Sequence, residues 1–150
     1  MNILVINGPN LNLLGMRNIE IYGSDTLEDI MVWLKNTPEA SSHTFKFYQS
    51  NYEGKIIDSI HDEKDWAQGI LINPAAFTHY SYAIRDAIES VNTPTVEVHL
   101  SDIKNREEFR EISVLEGVCL EQIYGLGKMV YLKGLKILIN NFQKEQCNDN

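Results

Sequence analysis

Cysteine is scarce: the 150 residues contain only Cys119 and Cys147. Two thiols make no disulfide framework for a chain of this size, and a reducing cytoplasm is the simplest expectation. The histidines His43, His61, His79 and His99 show no paired ligand spacing, so no metal site is expected. No run of Lys and Arg is clustered, and 13 basic residues against 21 acidic ones leave a net charge of −8. Phosphate backbones need concentrated positive charge, so nucleic acid is not expected as a partner. No apolar stretch approaches membrane-spanning length, and Met1 to Asn7 lacks the basic start and cleavage site of a signal peptide. Neither a membrane partner nor secretion is therefore expected. A full phosphate-binding loop is missing too: Gly125-Leu126-Gly127-Lys128 lacks the spacing and reads as a turn into the closing helix.

What the chain does contain is alternation. Ile3-Leu4-Val5-Ile6 and Gly69-Ile70-Leu71-Ile72 read as buried strands, each running into an Asn- and Pro-containing loop. Thr44 to Tyr48, Thr95 to His99 and Gln122 to Gly125 read as three more. Between them lie helical patterns: Leu27, Ile30, Met31 and Leu34 behind a Thr26 cap; Ile56, Ile57 and Ile60; and Tyr80 to Val91 behind a Thr78 cap. Glu107 to Glu111 predicts a short helix and Leu132 to Phe142 a closing one, with residues from about 143 to 150 fraying. The pattern predicts a single α/β domain over 1–150, with a five-stranded parallel sheet and helices on both faces. Ligands of such sheets bind beyond the carboxyl ends of the strands, so the loops after Ile6, Ile72 and Val98 are the ones to read for chemistry.

The first of these loops, Asn7 to Thr26, is too long for an idle connector and carries Arg17 and Tyr22. A free tyrosine has a pKa near 10, and a neighbouring guanidinium favours the phenolate that could act as a base. Asn73 to Ser81 places His79 and small residues near a helix start, where backbone N–H groups can approach an anion. His99 closes a strand and is followed by Leu100, Ser101 and the Arg106 to Arg110 stretch. Taken singly, each group is as well explained by ordinary structure: turn formers, a helix cap, a histidine at a strand end, a solvated helix face. Their joint placement at one edge of the predicted sheet favours a site.

Several ordered motifs carry a resemblance over nearly the whole chain. They are Asn7-Gly8-Pro9-Asn10-Leu11-Asn12-Leu13-Leu14-Gly15, Glu20-Ile21-Tyr22-Gly23, Gln49-Ser50-Asn51, Phe77-Thr78-His79-Tyr80-Ser81, Val96-Glu97-Val98-His99-Leu100-Ser101 and Arg106-Glu107-Glu108-Phe109-Arg110. In these the chain resembles the type II 3-dehydroquinate dehydratases. The resemblance implies a flavodoxin-like fold, no cofactor, and homo-oligomers built as a dodecamer, a tetramer of trimers. It implies anti elimination of water from 3-dehydroquinate through an enolate, in the shikimate pathway or quinate breakdown. Carried over by position, Tyr22 is the base, Arg17 stabilises its phenolate and His99 is the acid. Asn10, the Pro9 carbonyl and the Ala76 amide hold a water against the enolate. Leu100, Ser101 and Asn73 bind the substrate carboxylate, His79 and Arg110 grip ring hydroxyls, and Asp86 reaches a neighbouring subunit's site. The chain departs from the family's usual pattern with Asn18-Ile19 for Glu-Pro, Ala75 for Gly, and Asp102 for Asn, whose charge Lys104 would have to offset.

Overall fold

A computed structural model describes residues 1–16 and 18–148. The apolar run near the N-terminus forms β1 (Asn2–Asn7), and its alternation decides how the layers assemble. Ile3 and Val5 join the core on one face of the sheet, Leu4 and Ile6 the core on the other, as the period-two pleat requires. The other strands are β2 (Thr44–Gln49), β3 (Gly69–Asn73), β4 (Thr95–His99) and β5 (Glu121–Tyr124). All pairings are parallel, in the order β2-β1-β3-β4-β5. This is the predicted five-stranded α/β sheet, in a flavodoxin-like order.

The helices are α1 (Ile19–Tyr22), α2 (Leu27–Lys35), α3 (Glu53–Asp62), α4 (Tyr82–Val91) and α5 (Met129–Asn148). Ile30 and Leu34 of α2 and Leu135 and Leu138 of α5 pack with Val5, Leu71 and Val98, while Ile56 and Ile60 of α3 and Ile84 and Ile88 of α4 pack with Ile6, Ile70 and Ile72. Close seating of α5 depends on Gly134, where a Cβ would fall 2.4 Å from Leu71 Cδ1. Among the described residues, no helix is long and apolar enough to cross a membrane.

Thr26 caps α2 as expected, in a reciprocal box with Asp29: Asp29 N–H donates to Thr26 Oγ1 at 3.1 Å and Thr26 N–H to Asp29 Oδ2 at 2.9 Å. Thr78 does not cap α4. After β3 the chain first makes a 3-10 turn, Ala75–His79, which moves the helix start to Tyr82 and the cap to Ser81, whose Oγ accepts from Ile84 N–H at 3.0 Å. Glu107 to Glu111 shrinks to a single 3-10 turn, Glu108–Arg110. Of the tail expected to fray from about residue 143, residues 149 and 150 lie outside the described residues. Helix α5 continues to Asn148, and within its last turns Asn141 Nδ2 donates to Glu145 Oε1 at 2.8 Å, an i to i+4 bond along the helix.

The strand order places the topological switch between β1 and β3, where open α/β sheets leave a crevice. Asn7 and Asn73 are register partners at the ends of these two strands. Gly8 N–H donates to Asn73 O at 2.7 Å, and a Cβ on Gly8 would lie 2.5 Å from Pro74 O, so only glycine lets the loops cross this closely. Beneath them lies the fully buried Tyr131 of α5. Its hydroxyl donates to Asn7 Oδ1 at 2.5 Å and accepts from Asn73 Nδ2 at 3.1 Å. Burial pushes its phenol up despite the Asn73 hydrogen bond, so Tyr131 is a neutral strut holding two amides in place.

Candidate active site

A cavity of about 130 Å³ opens at the carboxyl ends of β1, β3 and β4. The first loop contributes Pro9, Asn10, Leu11 and Leu14, and α1 contributes Tyr22. The end of β3 and its 3-10 turn supply Asn73, Ala75, Ala76 and His79. From β4 onward come His99, Leu100, Ser101, Ile103, Arg106 and Arg110. The predicted groups Asn10, Tyr22, Asn73, His79, His99, Leu100, Ser101 and Arg110 thus line one cavity. Asp86 does not: it lies on the exposed side of α4, 4.0 Å from Arg85 Nη1. Arg17 lies outside the described residues. A larger cavity of about 570 Å³ shares Tyr22, Leu100, Ser101 and Arg106 as a common wall. It runs toward Ile21, Ile30 and the Asp25–Lys128 ion pair (2.9 Å), and it lacks the histidines and the strand-end asparagine. Tyr22, His79, His99 and Asn73 converge on the smaller one.

On β4, His99 and Glu97 are two residues apart and so face the same way. His99 Nε2 is 2.6 Å from Glu97 Oε1, and both side chains are almost fully buried. Thr78 Oγ1 donates to the same carboxylate oxygen, and Ser113 Oγ donates to Oε2 at 2.8 Å. Burial alone would push the Glu97 carboxyl up. The hydrogen bond and charge of His99, with the Thr78 and Ser113 hydroxyls, outweigh it and hold the group below the ordinary glutamate value. A buried carboxylate of this kind orients an imidazole and stabilises its protonated form.

Across the cavity, Arg106 Nη1 donates to Tyr22 Oη at 2.9 Å and reaches Ser101 Oγ at 3.4 Å. A guanidinium donating to the phenolic oxygen favours negative charge on it. In the loop after β3, His79 Nδ1 lies 2.8 Å from the Ile112 carbonyl, which makes Nδ1 the protonated nitrogen of the neutral ring and leaves Nε2 to accept. Burial holds the His79 imidazole below its ordinary value, with the Ile112 contact opposing. Arg110 is braced by Glu107 Oε2 at 2.7 Å and lies 4.6 Å over the Phe109 ring.

Asn10 adopts a left-handed backbone (φ 66°), and its N–H donates to Asn51 Oδ1 at 2.9 Å. Gln49 Nε2 donates to Gly8 O at 3.2 Å and to Asn51 Oδ1 at 3.1 Å, so the Gln49-Ser50-Asn51 motif supports the first loop. Lys104 does not offset Asp102. Its ammonium donates to Glu111 O at 2.9 Å, whereas Asp102 Oδ1 accepts from Lys104 N–H at 3.0 Å and caps the 3-10 turn Ile103–Asn105. Asp102 faces the larger cavity, not the smaller. Among the described residues, no group of three or more His, Cys, Asp or Glu side chains is arranged to hold a metal.

Ala75 is in the left-handed region (φ 51°), with its N–H donating to Asn73 Oδ1 at 3.2 Å. An L-residue there is strained, and glycine removes the strain at a smaller entropic cost. Ala75→Gly is expected to stabilise the fold by about 0.5–1 kcal/mol, raising Tm by roughly 1–4 °C in a thermal melt.

Glu97, Thr78, Ser113 and Tyr131 contact groups of this cavity without having been assigned a role from the sequence, and Arg106 was read only as part of the stretch after His99. Only Glu97 leaves a clear sequence signal: an acid inside an otherwise apolar strand, two residues before the histidine.

Comparison with known proteins agrees with this geometry. The family described as Dehydroquinase class II matches residues 1–139. A 3-dehydroquinate dehydratase of Trichodesmium erythraeum is 54% identical over 139 residues, covering 93% of each chain. A protein of the same name from Bacillus cereus is 47% identical over 142 residues, covering 95% of this chain and 97% of that one. The crystal structure of a type II dehydroquinase from Butyrivibrio crossotus superposes with a TM-score of 0.89 at 48% identity, covering 92% of this chain and 97% of the other.

Proposed function

The chain belongs to the dehydroquinase class II family, and from that premise we propose that it is a 3-dehydroquinate dehydratase, a hydro-lyase of the shikimate pathway. The observation that carries the reading is one cavity holding a tyrosine backed by a guanidinium and a histidine backed by a buried carboxylate. Elimination of water beside a ketone needs that pair: a base for the proton next to the carbonyl and an acid for the departing hydroxyl.

In the proposed course, Tyr22 as phenolate takes the C2 proton and the electron pair passes to the carbonyl oxygen as an enolate. A water held by Asn10, the Pro9 carbonyl and the Ala76 amide meets that charge. The enolate then collapses as His99 protonates the leaving C1 hydroxyl, which departs as water; Tyr22 returns its proton to solvent and His99 is reprotonated. Leu100, Ser101 and Asn73 hold the substrate carboxylate, and His79 and Arg110 hold ring hydroxyls. Arg106 donates to the Tyr22 oxygen, and Arg17, outside the described residues, is the further cation that the family pattern assigns to stabilising the phenolate. Asp86, exposed on α4, serves a neighbouring copy's cavity in a homo-oligomer, a dodecamer of four trimers working in the cytoplasm. No cofactor takes part.

The test is an ultraviolet assay with 3-dehydroquinate, following the conjugated enone product. Folded protein that forms no enone would overturn the reading. Borohydride added with substrate is expected to leave activity intact, because no Schiff base forms.

A further inference from the structure

The hydrogen atoms around Glu97 are tightly constrained. A serine hydroxyl has one proton and two lone pairs. At Ser113 the N–H groups of Leu115 and Glu116 both donate to Oγ, each at 3.1 Å, and occupy those lone pairs. The Ser113 proton is left with two acceptors, Thr78 Oγ1 at 2.8 Å and the carboxylate, 2.8 Å from Oε2 and 3.0 Å from Oε1, of which the carboxylate is the stronger. Thr78 Oγ1 is 2.8 Å from Ser113 Oγ but finds no lone pair there, so its proton also goes to Glu97 Oε1. A proton placed on Oε2 would have no acceptor in Ser113. One position is left undecided by these contacts, the proton between Glu97 Oε1 and His99 Nε2. Two hydroxyl donors on the oxygens make the carboxylate the weaker claimant to it.

On the dehydratase reading above, we propose that Ser113 is a positioning residue acting through Glu97: its hydroxyl, aimed by the Leu115 and Glu116 amides, keeps the carboxylate ionised and the shared proton on His99 Nε2, so that Nδ1 is the nitrogen that hands its proton to the leaving hydroxyl. The segment 111–118 thereby sets the charge state of a dyad it does not belong to. Other titratable or charged groups surround the pair from each packed element. His79 comes from the turn after β3, Tyr22 from α1, and Arg106 and Arg110 from the stretch after β4. Cys119 faces Glu97 from the approach to β5; burial, with the Glu97 charge, pushes its thiol up and keeps it protonated. None of these donates to Glu97 Oε2 among the described residues, and Ser113 does.

The test compares wild type, Ser113→Ala and Ser113→Thr by kcat and KM across pH, and reads the His99 ring nitrogens of substrate-free wild type by 15N NMR. With alanine, kcat at neutral pH is expected to fall about tenfold, KM to stay within about twofold, and the alkaline limb of the kcat profile to move about one pH unit higher, because the carboxylate then holds the shared proton more strongly. Threonine, which keeps the hydroxyl, restores the limb. In wild type the neutral ring carries its proton on Nε2. A reduced kcat with an unmoved alkaline limb would make Ser113 merely structural and overturn the proposal, as would a wild-type proton on Nδ1. The NMR result stands even if the alanine variant folds poorly. Wild type with no dehydratase activity would sink the reaction reading instead, so the two failures are told apart.

Discussion

Tyr22→Phe is expected to lower kcat by about 10²–10⁴-fold while leaving KM and Tm nearly unchanged. The ring survives the change, and with it the packing of the half-buried Tyr22 side chain against the core face that α2 and α5 cover. Only the oxygen is lost, and that oxygen is the proposed acceptor of the C2 proton and the atom to which Arg106 donates. Arg106 keeps Ser101 Oγ and the Glu107 carboxylate, 3.7 Å from its Nε, as partners, so the cavity wall holds its shape. Steady-state kinetics beside a thermal melt check this. A loss below tenfold in well-folded protein would place the base elsewhere.

Glu97→Gln is expected to cost about as much activity, with a stability loss besides. An amide in place of the carboxylate must put its NH₂ somewhere. Facing Ser113, it meets an oxygen whose lone pairs are already filled by Leu115 and Glu116. Facing His99, it forces Nε2 to accept, moves the ring proton to Nδ1 and removes the negative charge that supports the imidazolium. In either orientation kcat falls about 10²–10⁴-fold, and one buried donor left without a partner lowers stability by about 1–3 kcal/mol. The native carboxyl lies below the ordinary glutamate value, so its stabilising contribution is complete above that ordinary value and is lost as pH falls through the folded one. The glutamine variant lacks that part of the acid sensitivity. Denaturant melts at neutral and acidic pH, with kinetics, check both effects; a variant with near-native kcat would remove Glu97 from the dyad.

Much of this architecture could be read before any coordinates. β1 and β3 are apolar runs closed by asparagine, and β4 is a buried strand broken only by Glu97, because helices cover both faces of the sheet. The polar residues that close them were visible for the same reason: after an apolar strand, Asn73 or His99 stands out. The errors came where a polar side chain had two possible employers. Thr78 is a good cap by composition, yet its hydroxyl goes to Glu97, and Ser81 caps α4 instead. Arg106 reads as part of a solvated face until α1 brings Tyr22 to it from across the fold. Ser113 carries no local signal, since its role depends on a strand end and a turn meeting in space. Tyr131 reads as one more core aromatic on the inner face of α5, and its hydroxyl matters only because two asparagines end above it.

The Tyr131 strut also has a timetable. Asn7 leaves the ribosome 124 residues ahead of its partner Tyr131. At roughly 5–20 residues per second that is a wait of about 6–25 s, during which the ends of β1 and β3 have no hydroxyl to lock onto. A nascent chain can pair β1 with β3 well before it owns a finished floor to its cavity. Helix α5 completes the site, so a ribosome stalled before it leaves a sheet whose first and third strands are paired but whose two strand-end asparagines remain unbraced.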